Sequence, residues 1–423
     1  MPAVVLISLV AIVLWSLISH RFERWGVAGP AGLLLLGAAT VVWNIDAFSA
    51  ALDSTISEKI VEIILAILLF VDATEVKGGL FGREGKAIAR LILIALPLSI
   101  MMAIAAAALL VPSAELLVVV VIACVVLPID FSAAAQLLRS PRLPARVRRV
   151  LTVESGYNDG VLSPLFGMSL ALAVVWSTIS RKTDTEITEA DLEEPVLAFL
   201  ESFANAVPST VIAIVIGVVL GGAVGFLVRI ARERDFASAI GARYIMLLLP
   251  LIAYGVASIP MFNANGFVAA FVAGIGYRVT RTTRRRDEGI EPSELLLVEE
   301  VSVLASHFVW FVLGGATVIV VSAGIDWRIL LFALLALTLL RIVPVYLALL
   351  RSTVPRSDRV LIGALGPRGT ASIVFGLLAY NGLPEDQGAI VLTVMVVTVG
   401  GSILLHGVAA PLLLRRHVKE GSH

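Results

Sequence analysis

The sequence predicts an all-α polytopic membrane protein of thirteen transmembrane helices, built as two inverted six-helix repeats around a linking seventh helix. Three observations predict it: an apolar composition, apolar runs of membrane length from end to end, and helix breakers at matched places in two of those runs. Of 423 residues, 59% are hydrophobic and only 15% charged, and mean hydropathy is +0.98. A soluble domain carries about a quarter charged residues. Roughly 20 apolar residues cross a bilayer core as helix. The runs fall at residues 2–19, 26–44, 60–71, 87–112, 116–138, 161–180, 206–228, 245–255, 266–275, 301–325, 329–350, 360–379 and 389–414. No polar stretch is long enough for a soluble domain, so residues 1–423 read as a single membrane domain.

Run 1 lacks a basic leader and a small-residue cleavage pattern, and reads as a retained helix rather than a signal peptide. Run 5 contains Pro128 beside Asp130, and its lone Cys124 excludes an intrachain disulfide framework. Run 7 carries Gly217, Gly221 and Gly225 at four-residue spacing, a ridge for close helix approach that reads as packing within the monomer in preference to a dimer contact. The boundary between runs 8 and 9 is the weakest. Run 10 includes His307, read as a hydrogen-bonded histidine near a helix start, with Glu299 and Glu300 at a solvated entry. Run 12 contains Gly363, Gly366, Pro367 and Gly369 around Arg368. Proline removes a backbone donor and glycine loosens the helix, and such breaks persist at membrane depth only where protein or a water-filled cavity satisfies the backbone. Runs 5 and 12 are each the fifth of their half. Matched broken helices in inverted halves point to a secondary transporter with its site at the midplane.

Charge follows the same frame. With the N-terminus outside and the C-terminus inside, the inward loops hold most of the 32 basic residues, among them Lys77, Arg83, Arg139, Arg278, Arg284, Arg285, Arg286, Arg415, Arg416 and Lys419, as the positive-inside rule requires. The "RTTRRR" run therefore needs no nucleic acid to explain it. The acidic outward loop "RKTDTEITEADLEEP" reads as a solvated connector. No Gly-x-x-x-x-Gly-Lys loop is present, which argues against an ATP-driven pump.

An ionisable residue inside a membrane costs at least about 2.5–3.5 kcal/mol, and so faces a cavity or a partner. Asp72, Asp130, Glu154, Asp159, Arg341 and Arg368 qualify. In "VESGYNDG", at about 100° per residue, Ser155 and Asp159 share one helix face and Glu154 and Asn158 the adjoining one. Ser155 and Asp159 are oxygen ligands for a hard cation. Asp130 offers a second carboxylate to the same place, with the Ile129 backbone carbonyl. A partly dry carboxylate escapes desolvation by taking up a proton or a metal cation. That competition is cation/proton exchange, with Asp159 as the leading exchanging group. Glu154 is the natural partner of the buried cation Arg341, and Asn158 braces a broken backbone. Asp72, near Lys77, reads equally as a solvated helix-end acid or a site residue.

These motifs resemble the electroneutral cation/proton antiporters, the NhaP-type and NHE-type branch. "ESGYND" is similar to the E-S-x-x-N-D signature of that family, and "GPRGTASIVFGLL" to its G-x-R-G-x-x-S segment. "LRIVPV", "FVDATEV" and "NGFVAAFVAG" resemble further family stretches, in the same order along the chain. The resemblance implies a homodimer in the bilayer with no cofactor beyond its transported ions, with core helices at about 87–180 and 297–415 moving against a scaffold while broken helices 5 and 12 cross at the site. It implies Asp159, Asp130 and Ser155, with the Ile129 carbonyl, as ion and proton ligands, and so as the metal-cation site. Asn158, Glu154, Arg341 and Arg368 then stabilise the site, and Asp72 lies in the ion pathway. It implies Na⁺ (Li⁺) exchanged one for one with H⁺ by a bacterial plasma-membrane protein that is no enzyme. The family's Thr-Asp-Pro is Ile129-Asp130-Phe131 here, which loses a hydroxyl and keeps K⁺/H⁺ exchange open as an alternative. A cation channel or ion sensor on the same scaffold is the more distant one.

Overall fold

The apolar runs fold as helices, and the interruptions fall at the prolines and glycines that predict them. The computed structural model describes residues 3–24, 29–75, 84–134, 137–138, 140–183, 190–282 and 289–409. Lys77, Arg83, Arg139, Arg284, Arg285, Arg286, Arg415, Arg416 and Lys419, and the middle of the acidic connector, lie outside the described residues. No strand occurs among the described residues. The helices are α1 (Ala3–Arg24), α2 (Gly29–Val41), α3 (Ile45–Leu52), α4 (Thr55–Glu75), α5 (Gly85–Leu110), α6 (Leu116–Val126) and α7 (Ala145–Thr183). There follow α8 (Ala190–Glu233), α9 (Ala239–Ala257), α10 (Gly266–Arg281), α11 (Pro292–Ala323), α12 (Trp327–Ala348), α13 (Arg356–Ala364), α14 (Thr370–Gly382) and α15 (Glu385–Ser402). A π turn, Ile403–Ala409, continues α15. Among the described residues, eight helices are long and apolar enough to cross a membrane, or nine if α2 and α3, bent by 118°, form one span.

Side-chain caps fix several helix starts. Asn44, Ser238, Asn265 and Asp326 each accept a backbone N–H from the first turn of α3, α9, α10 and α12, which satisfies donors that a helix leaves unpaired. Three boundaries differ from the sequence reading. Helix α7 starts at Ala145 because its basic first turn has partners: Arg146 Nε and Arg149 Nη2 lie 3.1 and 3.0 Å from the Glu84 carboxylate. Helix α10 continues past residue 275 to Arg281. This removes Arg278 from the loop assigned to it and buries it. Parts of the acidic connector are helical, since α7 runs to Thr183 and α8 begins at Ala190. His307 lies in mid-α11 rather than near a helix start, close to the first turn of α2.

Helix α8 has 44 residues, about 66 Å at 1.5 Å per residue, or roughly twice a ~30 Å hydrocarbon core. Its glycine ridge meets α10. A Cβ at Gly217 would stand 2.7 Å from the Ala269 carbonyl oxygen, and Gly221 and Gly225 press on the Ala273 and Tyr277 backbones. The ridge thus serves packing within the chain. Leu9, Val13 and Leu17 on α1, and Val211, Val215 and Val218 on α8, leave large apolar side chains exposed at helical spacing. Such faces suit lipid.

Buried side chains form three apolar clusters. One unites α4 with α8–α11. A smaller one joins Leu91 and Ala95 of α5, Ile129 and Phe131, Val147, Val150 and Leu151 of α7, and Val345, Ile362 and Leu365. The largest holds much of the remainder, including α6, α14 and α15. Cys124, in α6, is wholly buried.

Candidate functional site

Helix α6 ends at Val126, and the chain runs non-helically through Leu127–Phe131 to a short 3₁₀ turn, Ser132–Ala134. Pro128 has no N–H to continue the helix. A second gap, residues 365–369, separates α13 from α14. The gaps cross: the Asp130 N–H donates to the Pro367 carbonyl at 2.9 Å. No Cβ would fit at Gly369, where it would stand 2.6 Å from Asp130 Oδ2, and Gly366 packs directly on the Arg341 guanidinium.

Helix α7 supplies the polar face. Ser155 Oγ donates to the Ile129 carbonyl at 2.6 Å, and Asn158 Nδ2 donates to the Leu127 carbonyl at 3.0 Å. Having spent its proton there, the Ser155 oxygen keeps lone pairs free for a cation. Asp159 is 2% exposed. Its Oδ1 has no hydrogen-bond partner. An unpartnered buried carboxylate oxygen is costly and is therefore informative. Asp130 is held differently. Its carboxylate accepts from the Ser132 N–H at 2.7 Å, Ser132 Oγ at 3.0 Å and the Thr370 N–H at 2.6 Å. The last bond places the acid at the N-terminus of α14, where a helix favours negative charge.

The two intramembrane arginines complete the frame. Arg341 binds Glu154 through two bonds, Nη1 to Oε1 at 3.1 Å and Nη2 to Oε2 at 3.2 Å, and donates also to the Ile362 carbonyl at 3.0 Å. Arg368, 0% exposed, has no carboxylate pair. Its Nη1 donates to the Leu127 carbonyl, and to that of Pro128 at 3.1 Å, while Nη2 reaches the Ala336 carbonyl at 3.0 Å. Glu154, Asn158, Arg341 and Arg368 line a small cavity of about 20 Å³ with Ser99 and the π turn Leu91–Ala95 of α5, room for about one water. Asp72 approaches from α4: a Cβ at Gly156 would stand 2.9 Å from its carbonyl oxygen, so α4 touches α7 beside Ser155.

Of the proposed site residues, Ile129, Asp130, Ser155, Asn158 and Arg368 meet at the crossing, Glu154 and Arg341 pair beside it, and the Asp72 backbone touches α7 at Gly156. Among the described residues, no group of three or more His, Cys, Asp or Glu side chains could hold a metal ion; the cation ligands available are two carboxylates, a hydroxyl and backbone oxygens. The Ile129 side chain belongs to the apolar cluster with Val150 and Leu365, and its backbone is what meets Ser155. Sequence reasoning missed the Thr370 amide, the burial of Arg278, and the partners of His406. Ser402 Oγ accepts the Arg368 N–H at 2.7 Å, and the His406 ring lies 3.2 Å from Ser402 Oγ and 3.1 Å from the Ala364 carbonyl. Four-residue spacing on one helix face was the available signal for that pair.

Comparison with known proteins bears on the family and the fold. A family model described as sodium/hydrogen exchanger, transmembrane, matches residues 5–416. A protein of Schizosaccharomyces pombe named Na(+)/H(+) antiporter is 21% identical over 346 residues, covering 78% of this chain and 68% of that protein. Among solved structures, the sodium proton antiporter MjNhaP1 from Methanocaldococcus jannaschii at pH 8 superposes with a TM-score of 0.76 at 18% identity, covering 96% of this chain and 98% of that one. A second structure of that protein, from electron microscopy, gives a TM-score of 0.65 at 18% identity over 98% and 97%. At these identities the structural likeness speaks for the fold.

Proposed function

From the premise that the chain belongs to the transmembrane sodium/hydrogen exchanger family, we propose that it exchanges Na⁺ (Li⁺) for H⁺ across the membrane, one for one. It is a secondary transporter, not an enzyme. The observation that carries the reading is Asp159: a buried carboxylate with an open oxygen, beside a hydroxyl and a backbone carbonyl that are already aligned. A cation and a proton satisfy that oxygen equally well and exclude one another. Asp130, with three donors, is already satisfied without either. One free acid per site supports electroneutral exchange, with Asn158 as a neutral brace. Asp130, Ser155 and the Ile129 carbonyl complete the ion shell; Glu154, Arg341 and Arg368 hold its walls; Asp72 lies on the path.

The transport cycle is an elevator. Thirteen spans in inverted repeats place the N-terminus outside and the C-terminus in the cytoplasm of a bacterial plasma membrane, in a homodimer. The moving core comprises the helices at about 87–180 and 297–415, and the remainder is scaffold. The test is cation-driven proton flux in proteoliposomes with Na⁺, Li⁺ and K⁺. Na⁺ should dissipate an imposed pH gradient without a compensating charge path, and Asp159→Asn should abolish the flux. Wild-type flux in that variant overturns the assignment. Flux with K⁺ in place of Na⁺ makes the protein a K⁺/H⁺ exchanger, an outcome tied to the missing hydroxyl at Ile129.

A further inference from the structure

Arg278 is a buried cation that the ion site does not use. It sits on α10 and is 3% exposed. Its Nη1 donates to the Ala73 carbonyl on α4 at 2.9 Å, and its Nη2 donates to the Tyr157 hydroxyl on α7 at 3.0 Å. A single planar guanidinium therefore joins three helices. Ala73 follows Asp72, and Tyr157 lies between Ser155 and Asp159, about 200° around α7 from both. The bridge thus grips the back of the segment whose front carries the proposed ion ligands.

The surface around it is built for close contact. Gly156 meets the Asp72 backbone, Gly160 meets the Phe271 ring, and the Tyr157 and Phe271 rings pack edge to face with centroids 5.9 Å apart at 85°. Small residues let helices approach closely in a membrane, and apolar contacts of this kind set no sharp register along the helix axis. A guanidinium fork does, because its donors are fixed in one plane. Displacing α7 by one helical turn, about 5.4 Å, would part the Tyr157 hydroxyl from Arg278.

We propose that Arg278 is a latch that holds α7 in register with the α4–α10 pair, and that releasing the Tyr157 hydroxyl is a step of each transport cycle. This rests on the reading that α7 moves against α4 and α10. Arg278 is a positioning residue: it acts through Tyr157 and contacts no transported ion.

The test uses the full chain in proteoliposomes, comparing wild type with Tyr157→Phe, which removes only the hydroxyl, and with Arg278→Lys, which keeps the charge but cannot span both acceptors. Maximal turnover and half-saturating Na⁺ are measured alongside deuterium uptake by amides of residues 150–158. Both variants should change maximal turnover by roughly tenfold to a hundredfold, the scale of one charge-assisted hydrogen bond lost, and both should exchange faster in that segment. Turnover and exchange unchanged in Tyr157→Phe overturn the latch, as does a change in only one of the two. Arg278→Lys behaving like wild type beside a neutral Tyr157→Phe reduces Arg278 to its charge and overturns it too. If Arg278→Lys does not fold, Tyr157→Phe decides alone. Failure of the transport reading shows separately, as wild-type protein without cation-driven proton flux.

Discussion

At the first interruption, residues 127–131, the loose backbone groups are carbonyls, and other helices bring donors to them: Arg368 to Leu127 and Pro128, Asn158 to Leu127, Ser155 to Ile129. At the second, residues 365–369, the loose group at the head of α14 is an amide, and Asp130 brings the acceptor. Each break therefore sends a charged side chain to the other. The cation goes to the C-terminal end of α6 and the anion to the N-terminal end of α14, the polarity each helix end favours. The difference teaches that Arg368 and Asp130 each hold a helix end at the crossing, a duty Asp130 carries beside its proposed place in the ion shell, whereas Asp159 keeps an open oxygen, which is why we propose it for exchange.

Four substitutions break or sharpen this contrast. The largest loss of stability is predicted for Arg368→Met, which strips donors from three buried carbonyls. We expect about 3–5 kcal/mol, seen as a large fall in melting temperature or no folded protein in detergent. A melting temperature like that of wild type would undo the comparison. Asp130→Asn keeps the shape but loses the charge at α14, for about 1–2 kcal/mol, with faster amide exchange in the first turn of that helix as the readout. Ser155→Ala loses one bond to Ile129, about 1 kcal/mol, and should raise half-saturating Na⁺ roughly tenfold. Asp159→Asn should move stability least, by less than about 1 kcal/mol, because Oδ1 has no donor to lose, while transport vanishes. A strongly destabilised Asp159→Asn would make that acid part of the frame.

Much of this was legible in the sequence because membrane burial makes charge expensive. A guanidinium in "LLRIVPV" needs an anion, and Glu154 was the acid on the available stripe. Pro128 and the glycines around Arg368 marked the breaks for the same reason. What escaped was the partner of each backbone group. Nothing near Leu127 says that its carbonyl will meet a side chain 241 residues away. Arg278 escaped because it reads as one more loop cation, and the Ala73 carbonyl and Tyr157 hydroxyl that it meets leave no charge pattern in the sequence. The start of α7 escaped because Arg146 and Arg149 look like loop charge until Glu84 is seen between them.

The exchange of charges between the two breaks has a consequence in time. A chain is made at about 5–20 residues per second, so the 241 residues between Leu127 and Arg368 take on the order of 12–48 s to synthesise. Throughout that interval Asp130 has its two Ser132 donors but not the Thr370 amide, and the broken backbone beside it lacks Arg368. Asn158 and Ser155 arrive within seconds and can hold part of it, but the guanidinium comes last. The carbonyls of the first break thus wait for their last donor until the second half of the chain has been made.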